Sequence, residues 1–300
     1  MKKHILALLS LFACYTASAQ FDYAPNGRND APLLGMQWGL TGGGMTTMLT
    51  NRDDINADGR LNPQMMNFNY TAGVEGIYWF QKTVGFGGQL LYWNGGAKYT
   101  GTDTFIANPS KINLSATTKF TYLKLPLLFH FKSFNRYYPN RRTRFSAMFG
   151  PYVALLNSFS DDVTLTKDDD PNFKSTSGIN GTSYESNGVK GKLNGNIYKP
   201  FDLGFVFGVG GEIRLWKRTT VALHIRTDVG ISDVEDKRSR KIKYDGAVSE
   251  VDFGNPWEGL YAKFNSPNAL DNLAGFQSNR PATKNFSVGA FLSIRKYFRQ

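Results

Sequence analysis

Two groups of residues in this 300-residue chain have the types and spacing to do chemistry. The run Asp54-Ile55-Asn56-Ala57-Asp58-Gly59-Arg60 matches the first half of a calcium loop. Oxygen ligands at alternate positions followed by a turn-forming glycine are what calcium coordination requires. Asp54, Asn56 and Asp58 are therefore candidate calcium ligands. The twelfth position, Met65, stands where a bidentate Glu would complete the loop, so a solvated turn with Asx caps is the competing reading. The second group is His224 with Asp228, four apart in an alternating segment and so on one face of a strand, with His130 on the equivalent face of another segment. A hydrolase needs Ser, His and an acid at hydrogen-bond distance. The competing reading is a paired lumen network with Glu75, Glu212, Lys124, Arg214 and Arg226. Gly42-Gly43-Gly44 and Gly208-Val209-Gly210-Gly211 are not phosphate loops, because neither leads into Lys-Ser/Thr or a helical pattern.

Composition narrows the classes further. A single Cys excludes a disulfide scaffold and a thiolate zinc site, and three His make a multi-His metal site improbable. The formal net charge of +11 invites a nucleic-acid reading, which stands or falls with where the charge sits.

The residues that could do chemistry need elements to position them. Lys2 and Lys3, the apolar run Ile5 to Tyr15 and the site Ala17-Ser18-Ala19 read as a secretory signal over 1–19. A lipoprotein box at Leu11-Phe12-Ala13-Cys14 is the weaker alternative. Residues 20–34 are expected as a periplasmic N-terminal segment and 35–300 as one outer-membrane domain. No later run is long and apolar enough for a membrane helix. Instead the chain alternates. Phe68, Tyr70, Ala72 and Val74 oppose Asn69, Thr71, Gly73 and Glu75. Leu123, Leu125, Leu127 and Phe129 oppose Tyr122, Lys124 and His130. Leu203, Phe205, Phe207 and Val209 oppose Asp202, Gly204, Gly208 and Gly210. The same period marks 220–232 and 285–298, and more weakly 35–49, 84–98 and 144–159. Each segment is long enough for a tilted membrane strand of about 9–11 residues. Short connections at 81–83, 133–143 and 216–219 alternate with long ones at 50–67, 99–113, 160–200 and 233–283. The expectation is an all-β, eight-stranded antiparallel up-and-down transmembrane β-barrel with short periplasmic turns and long external loops, a count of ten being left open. Aromatics near strand ends (Trp38, Tyr78, Trp79, Phe80, Tyr92, Trp93, Tyr137, Tyr138, Trp216, Tyr297 and Phe298) are expected to form interfacial girdles. Pro126 and Pro151 are expected to mark bulges or distortions in the wall.

Three patches resemble a known family. Tyr122-Leu123-Lys124-Leu125-Pro126-Leu127-Leu128 is similar to the Y-L-x-I-P-L-L strand of the PorT-type outer-membrane β-barrel proteins of Bacteroidota. Phe149-Gly150-Pro151-Tyr152 resembles that family's G-P strand, and Asp202-x-Gly204 with Gly208-x-Gly210 its D-x-G…G-x-G strand. The resemblance implies an eight-stranded outer-membrane barrel and, as an alternative role, support of a secretion or surface-assembly system.

The expected function is a non-enzymatic barrel with a filled lumen and large external loops for interaction. A lipid-modifying or proteolytic barrel enzyme and a soluble secreted sandwich are the rivals. No cofactor is expected beyond calcium at Asp54, Asn56 and Asp58. The expected partners are outer-membrane lipid and periplasmic or surface proteins. Nucleic acid is not expected, because the excess base clusters at strand ends beside the short turns: Lys82, Lys132, Arg136, Arg141, Arg142, Arg144, Lys217, Arg218, Arg295, Lys296 and Arg299. The segments 81–83, 132–144, 216–219 and 295–300 contain no acid. Such a rim would meet anionic headgroups or a periplasmic partner.

Overall fold

A strand that is apolar on one face and charged on the other satisfies both faces at once only if lipid takes the first and a closed interior takes the second. The computed structural model describes residues 34–50, 61–64, 67–104, 111–133, 143–168, 170, 172, 174–186, 188–193, 196–215, 219–236, 240–244, 251–253 and 282–298. In chain order the strands are β1 (Gly35–Thr50), β2 (Leu61–Gln64), β3 (Asn67–Trp79), β4 (Val84–Thr104), β5 (Lys111–Lys132), β6 (Thr143–Lys167) and β7 (Lys174–Asn180). They continue as β8 (Ser183–Ser186), β9 (Val189–Leu193), β10 (Phe201–Arg214), β11 (Thr219–Gly230), β12 (Arg240–Tyr244), β13 (Val251–Phe253) and β14 (Lys284–Tyr297).

Eight of them close a ring in the order β1-β3-β4-β5-β6-β10-β11-β14, every neighbour antiparallel. Pairing of β1 with β14 from Gln37–Tyr297 to Thr50–Lys284 seals it. Each ring strand exposes large apolar side chains outward, for example Leu40, Val74, Leu90, Leu125, Val153, Phe205, Leu223 and Leu292. A continuous apolar band of that size needs lipid rather than water. Exposed Trp38, Tyr78, Phe80, Phe86, Phe145 and Phe298 border the short-turn end, and Phe68, Tyr70, Tyr92 and Phe201 border the other. These are the interfacial girdles. Short turns face the periplasm in such barrels, which sets the orientation.

Three expectations change. Trp79, Trp93 and Tyr297 are not girdle residues: they point inward and are buried. Trp79 shares the inward parity of Glu75 and Ile77, and its indole N–H donates to Gln37 Oε1 at 2.9 Å. Tyr137, Tyr138 and Trp216 lie outside the described residues.

The prolines do not make the bulge. The β4–β5 ladder skips from Gly88–Leu127 to Leu91–Lys124 opposite Pro126, and β5–β6 skips from Pro126–Tyr152 to Phe129–Phe149 beside Pro151. Register is kept across both gaps, as expected when only one N–H is missing. The register shift falls instead between Thr121 and Tyr122, where β6 carries the extra residue Asn157.

The external connections are long but not plain loops. β4, β5 and β6 run 21, 22 and 25 residues, about twice what a tilted crossing requires. Outside the membrane β2 pairs with β4, and β6 continues into β7-β8-β9-β12-β13. The sequence hides these strands because, above the lipid, outward residues such as Ser115, Thr117 and Lys119 lose the apolar contrast that marks a membrane strand.

Candidate functional site in the barrel lumen

Inward residues of the periplasmic half are charged, and a closed interior forces them to pair. Arg295 on β14 is the hub. Its Nε donates to Glu75 Oε1 at 2.6 Å and its Nη1 to Glu212 Oε1 at 2.7 Å. Gln89 Nε2 donates to Glu75 Oε2 at 3.0 Å, and Arg226 Nη1 donates to Gln89 Oε1 at 2.8 Å. Arg226 also grips Asp228, Nε to Oδ1 at 2.6 Å, and Lys124 Nζ reaches Asp228 Oδ2 at 2.6 Å. The chain Glu212–Arg295–Glu75–Gln89–Arg226–Asp228–Lys124 thus crosses the lumen through β10, β14, β3, β4, β11 and β5. All seven side chains are buried.

The three family-like patches meet at the end of this chain. Lys124 Nζ sits 3.5 Å from the centre of the Tyr152 ring, and Tyr152 Oη donates to Asp202 Oδ2 at 3.1 Å. Asp202 also accepts from Asn285 Nδ2 at 2.8 Å and Ser232 Oγ at 2.6 Å. Glycine makes room for the rings: a Cβ on Gly204 would lie 2.5 Å from Tyr152, and one on Gly95 would lie 1.9 Å from the Trp93 indole. Trp93, Tyr122, Lys124, Tyr152, Asp202, Asp228 and Asn285 line a space of about 10 Å³, room for one water.

The external mouth is filled differently. Tyr198 packs edge-on to Phe120 at 4.6 Å and to Phe159 at 5.0 Å, and its hydroxyl donates to Asp161 Oδ2 at 2.9 Å. Its strap is held by Lys199 N–H to Val234 O and Asp236 N–H to Ile197 O, both 2.8 Å, while Val234 N–H donates to Thr283 O at 2.9 Å. Ile197, Tyr198 and Val234 are buried, so segments 196–199 and 231–236 form a clip across the opening.

His224 and Asp228 share a face as expected but do not pair with each other. Asp228 is taken by Arg226 and Lys124, while His224 Nε2 lies 2.8 Å from Ser146 Oγ. His224 is buried, and its Nδ1 meets no partner among the described residues. His130 is buried beside Trp79, ring centres 6.3 Å apart. Of the lumen network expected from sequence, Glu75, Glu212, Lys124 and Arg226 take part, and Arg214 makes no ion pair among the described residues. Arg295, on the polar face of its alternating segment, takes part as well, whereas Gln89, Asp202, Tyr152 and Ser146 were missed as network members. Asp202 had the inward parity that marks it, whereas Gln89 and Tyr152 sit in segments whose alternation is weak. Asp54, Asn56 and Asp58 lie outside the described residues. Among the described residues no group of three His, Cys, Asp or Glu is placed to hold a metal.

A closed antiparallel ring with a lipid-facing apolar band and a packed, ion-paired interior defines an integral outer-membrane β-barrel. The chain belongs to the family of the outer membrane protein β-barrel domain, whose family model matches residues 19–236. No curated protein matches it. Similar solved structures include OprG from Pseudomonas aeruginosa (12% identity, TM-score 0.35, covering 90% of this chain and 99% of that one). Ail of Yersinia pestis is similar at 7% identity and TM-score 0.31, covering 87% and 99%. The outer membrane protease OmpT from Escherichia coli is similar at 8% identity and TM-score 0.32, covering 89% and 98%.

Proposed function

We propose that the protein is a non-enzymatic outer-membrane barrel, closed to solutes, that presents its external sheet at the cell surface as an interaction platform. The observation that carries this reading is the double closure of the lumen, by the Arg295–Glu75–Arg226–Asp228 network below and the Tyr198 clip above. Eight strands enclose an interior just wide enough for side chains. Among the described residues, Ser146 and His224 are the one hydrogen-bonded pair with hydrolytic types, and their burial favours a structural role over catalysis. The partners in this reading are outer-membrane lipid around the apolar band and surface or periplasmic proteins at the two rims. No cofactor enters it, calcium at Asp54, Asn56 and Asp58 excepted. The test is to incubate the refolded barrel with outer-membrane lipid and with a peptide mixture and follow both by mass spectrometry. No turnover is expected from the native chain. Turnover that disappears in Ser146→Ala or His224→Ala overturns the reading.

A second reading is a PorT-type barrel of Bacteroidota that supports secretion or surface assembly. The convergence of the three family-like patches on Lys124, Tyr152 and Asp202 favours it. Deleting the gene and assaying export of surface proteins tests it. Unaffected export removes it.

A further inference from the structure

Where the charged and the aromatic parts of the lumen meet, two buried polar atoms are left over. Trp93 on β4 and Tyr122 on β5 stand opposite each other in the ladder, 3% and 1% exposed, with ring centres 5.6 Å apart. Neither the Trp93 indole N–H nor the Tyr122 hydroxyl meets a hydrogen-bond partner among the described residues. The polar groups nearest them are already engaged. The Asn285 amide beside Tyr122 donates to Asp202 at 2.8 Å. Lys124 Nζ, 5.3 Å from the centre of the Trp93 ring, donates to Asp228. An indole N–H can only donate, so neither an ammonium nor an amide N–H can serve it. A buried donor left unmet is costly.

Trp93 and Tyr122 line the same space of about 10 Å³, together with Lys124, Tyr152, Asp202 and Asp228. That is the room one water takes, and it is too small for an organic ligand. The wall mixes both kinds of partner: the indole N–H and the ammonium donate, the two carboxylates accept, and the hydroxyl does either. A bare cation would meet the Lys124 ammonium and the indole hydrogen, and an anion would meet Asp202 and Asp228. A neutral molecule that both gives and takes hydrogen bonds suits every group. Asp202 Oδ1 accepts one bond, from Ser232, and has a lone pair to spare. We propose that this space is a binding site for a single buried water, which accepts from the Trp93 indole N–H and gives its hydrogens to the Tyr122 oxygen and the Asp202 carboxylate. The water joins the two parts of the lumen, because Tyr122 packs on Phe120 of the aromatic plug, ring centres 5.8 Å apart, while Asp202 lies at the end of the charged chain. The site is internal to the barrel, so it stands independently of either functional reading.

The test is a crystal structure of the full chain refolded in detergent, at a resolution that shows ordered water. A density peak within hydrogen-bond distance of Trp93 Nε1 and Tyr122 Oη is expected. Crystals grown with rubidium and, separately, with bromide identify the occupant, and no anomalous signal is expected at the site with either. In Trp93→Phe, which keeps a ring and removes the donor, the occupancy of the peak is expected to fall about twofold or more. The heat-dependent gel shift of a folded barrel checks the variant, and Tyr122→Phe replaces it if it fails to fold. An empty space in the native chain overturns the proposal. So does an anomalous peak, which would assign a cation or an anion, and so does unchanged occupancy in the folded variant, which would show that the orphaned groups do not hold the water.

Discussion

The two halves of the lumen are filled by opposite means. The periplasmic half is an ion-paired chain whose partners come from the ring itself, such as Arg295 and Glu75, 220 residues apart in sequence. The external half is an aromatic plug whose central residue, Tyr198, comes from outside the ring and leans on Phe120 and Phe159. Buried charges tolerate few arrangements, so the lower network ties together strands that must meet for the barrel to close. Apolar packing is non-directional, so the upper plug closes the mouth without dictating register. One half specifies the barrel, and the other seals it.

The largest break in that comparison is Arg295→Ala. It leaves Glu75 and Glu212 buried without their shared cation, a loss of about 3–5 kcal/mol. Urea unfolding of the refolded barrel is expected to shift by that amount or refolding to fail. Unchanged unfolding would show that the network is decorative. Next comes Gly95→Val. Its Cβ would fall 1.9 Å from the Trp93 ring where the two halves join, and the overpacking is expected to cost about 1–3 kcal/mol, read in the same assay.

The difference between the halves also explains what the sequence reveals. The ring was legible because lipid imposes a strict period: Leu123, Leu125 and Leu127 face out while Tyr122, Lys124 and His130 face in. Inward parity likewise marked Glu75, Glu212, Arg226 and Asp228 as lumen residues. Which partner each would take was not legible, because pairing depends on strand register and tilt around the ring. His224 and Asp228 show this: four residues apart on one face, they still take different partners, Ser146 for one and Arg226 with Lys124 for the other. The plug was invisible altogether. Ile197 and Tyr198 sit in a polar, glycine-rich stretch, and only the fold brings them over Phe120.

The most local change sharpens the comparison most. Tyr198→Phe keeps the ring between Phe120 and Phe159 and removes only the hydroxyl that donates to Asp161. A hydrogen bond to a charged acceptor contributes about 1.5–3 kcal/mol, so the clip should open more often by the factor that difference sets. Because the strap is tied to the ring through a few backbone bonds from Lys199, Val234 and Asp236, that opening is expected to be local. Hydrogen exchange should accelerate at the amides of Lys199, Val234 and Asp236 through openings whose rate is insensitive to low urea, while amides of β1 and β14 at the ring closure exchange only through the urea-dependent global unfolding, whose free energy falls by no more than the same ~1.5–3 kcal/mol. If instead exchange at the strap amides carries the same urea dependence as at the closure amides, the two halves unfold as one unit. The plug would then share the work of holding the ring that is assigned here to Arg295 and its carboxylates.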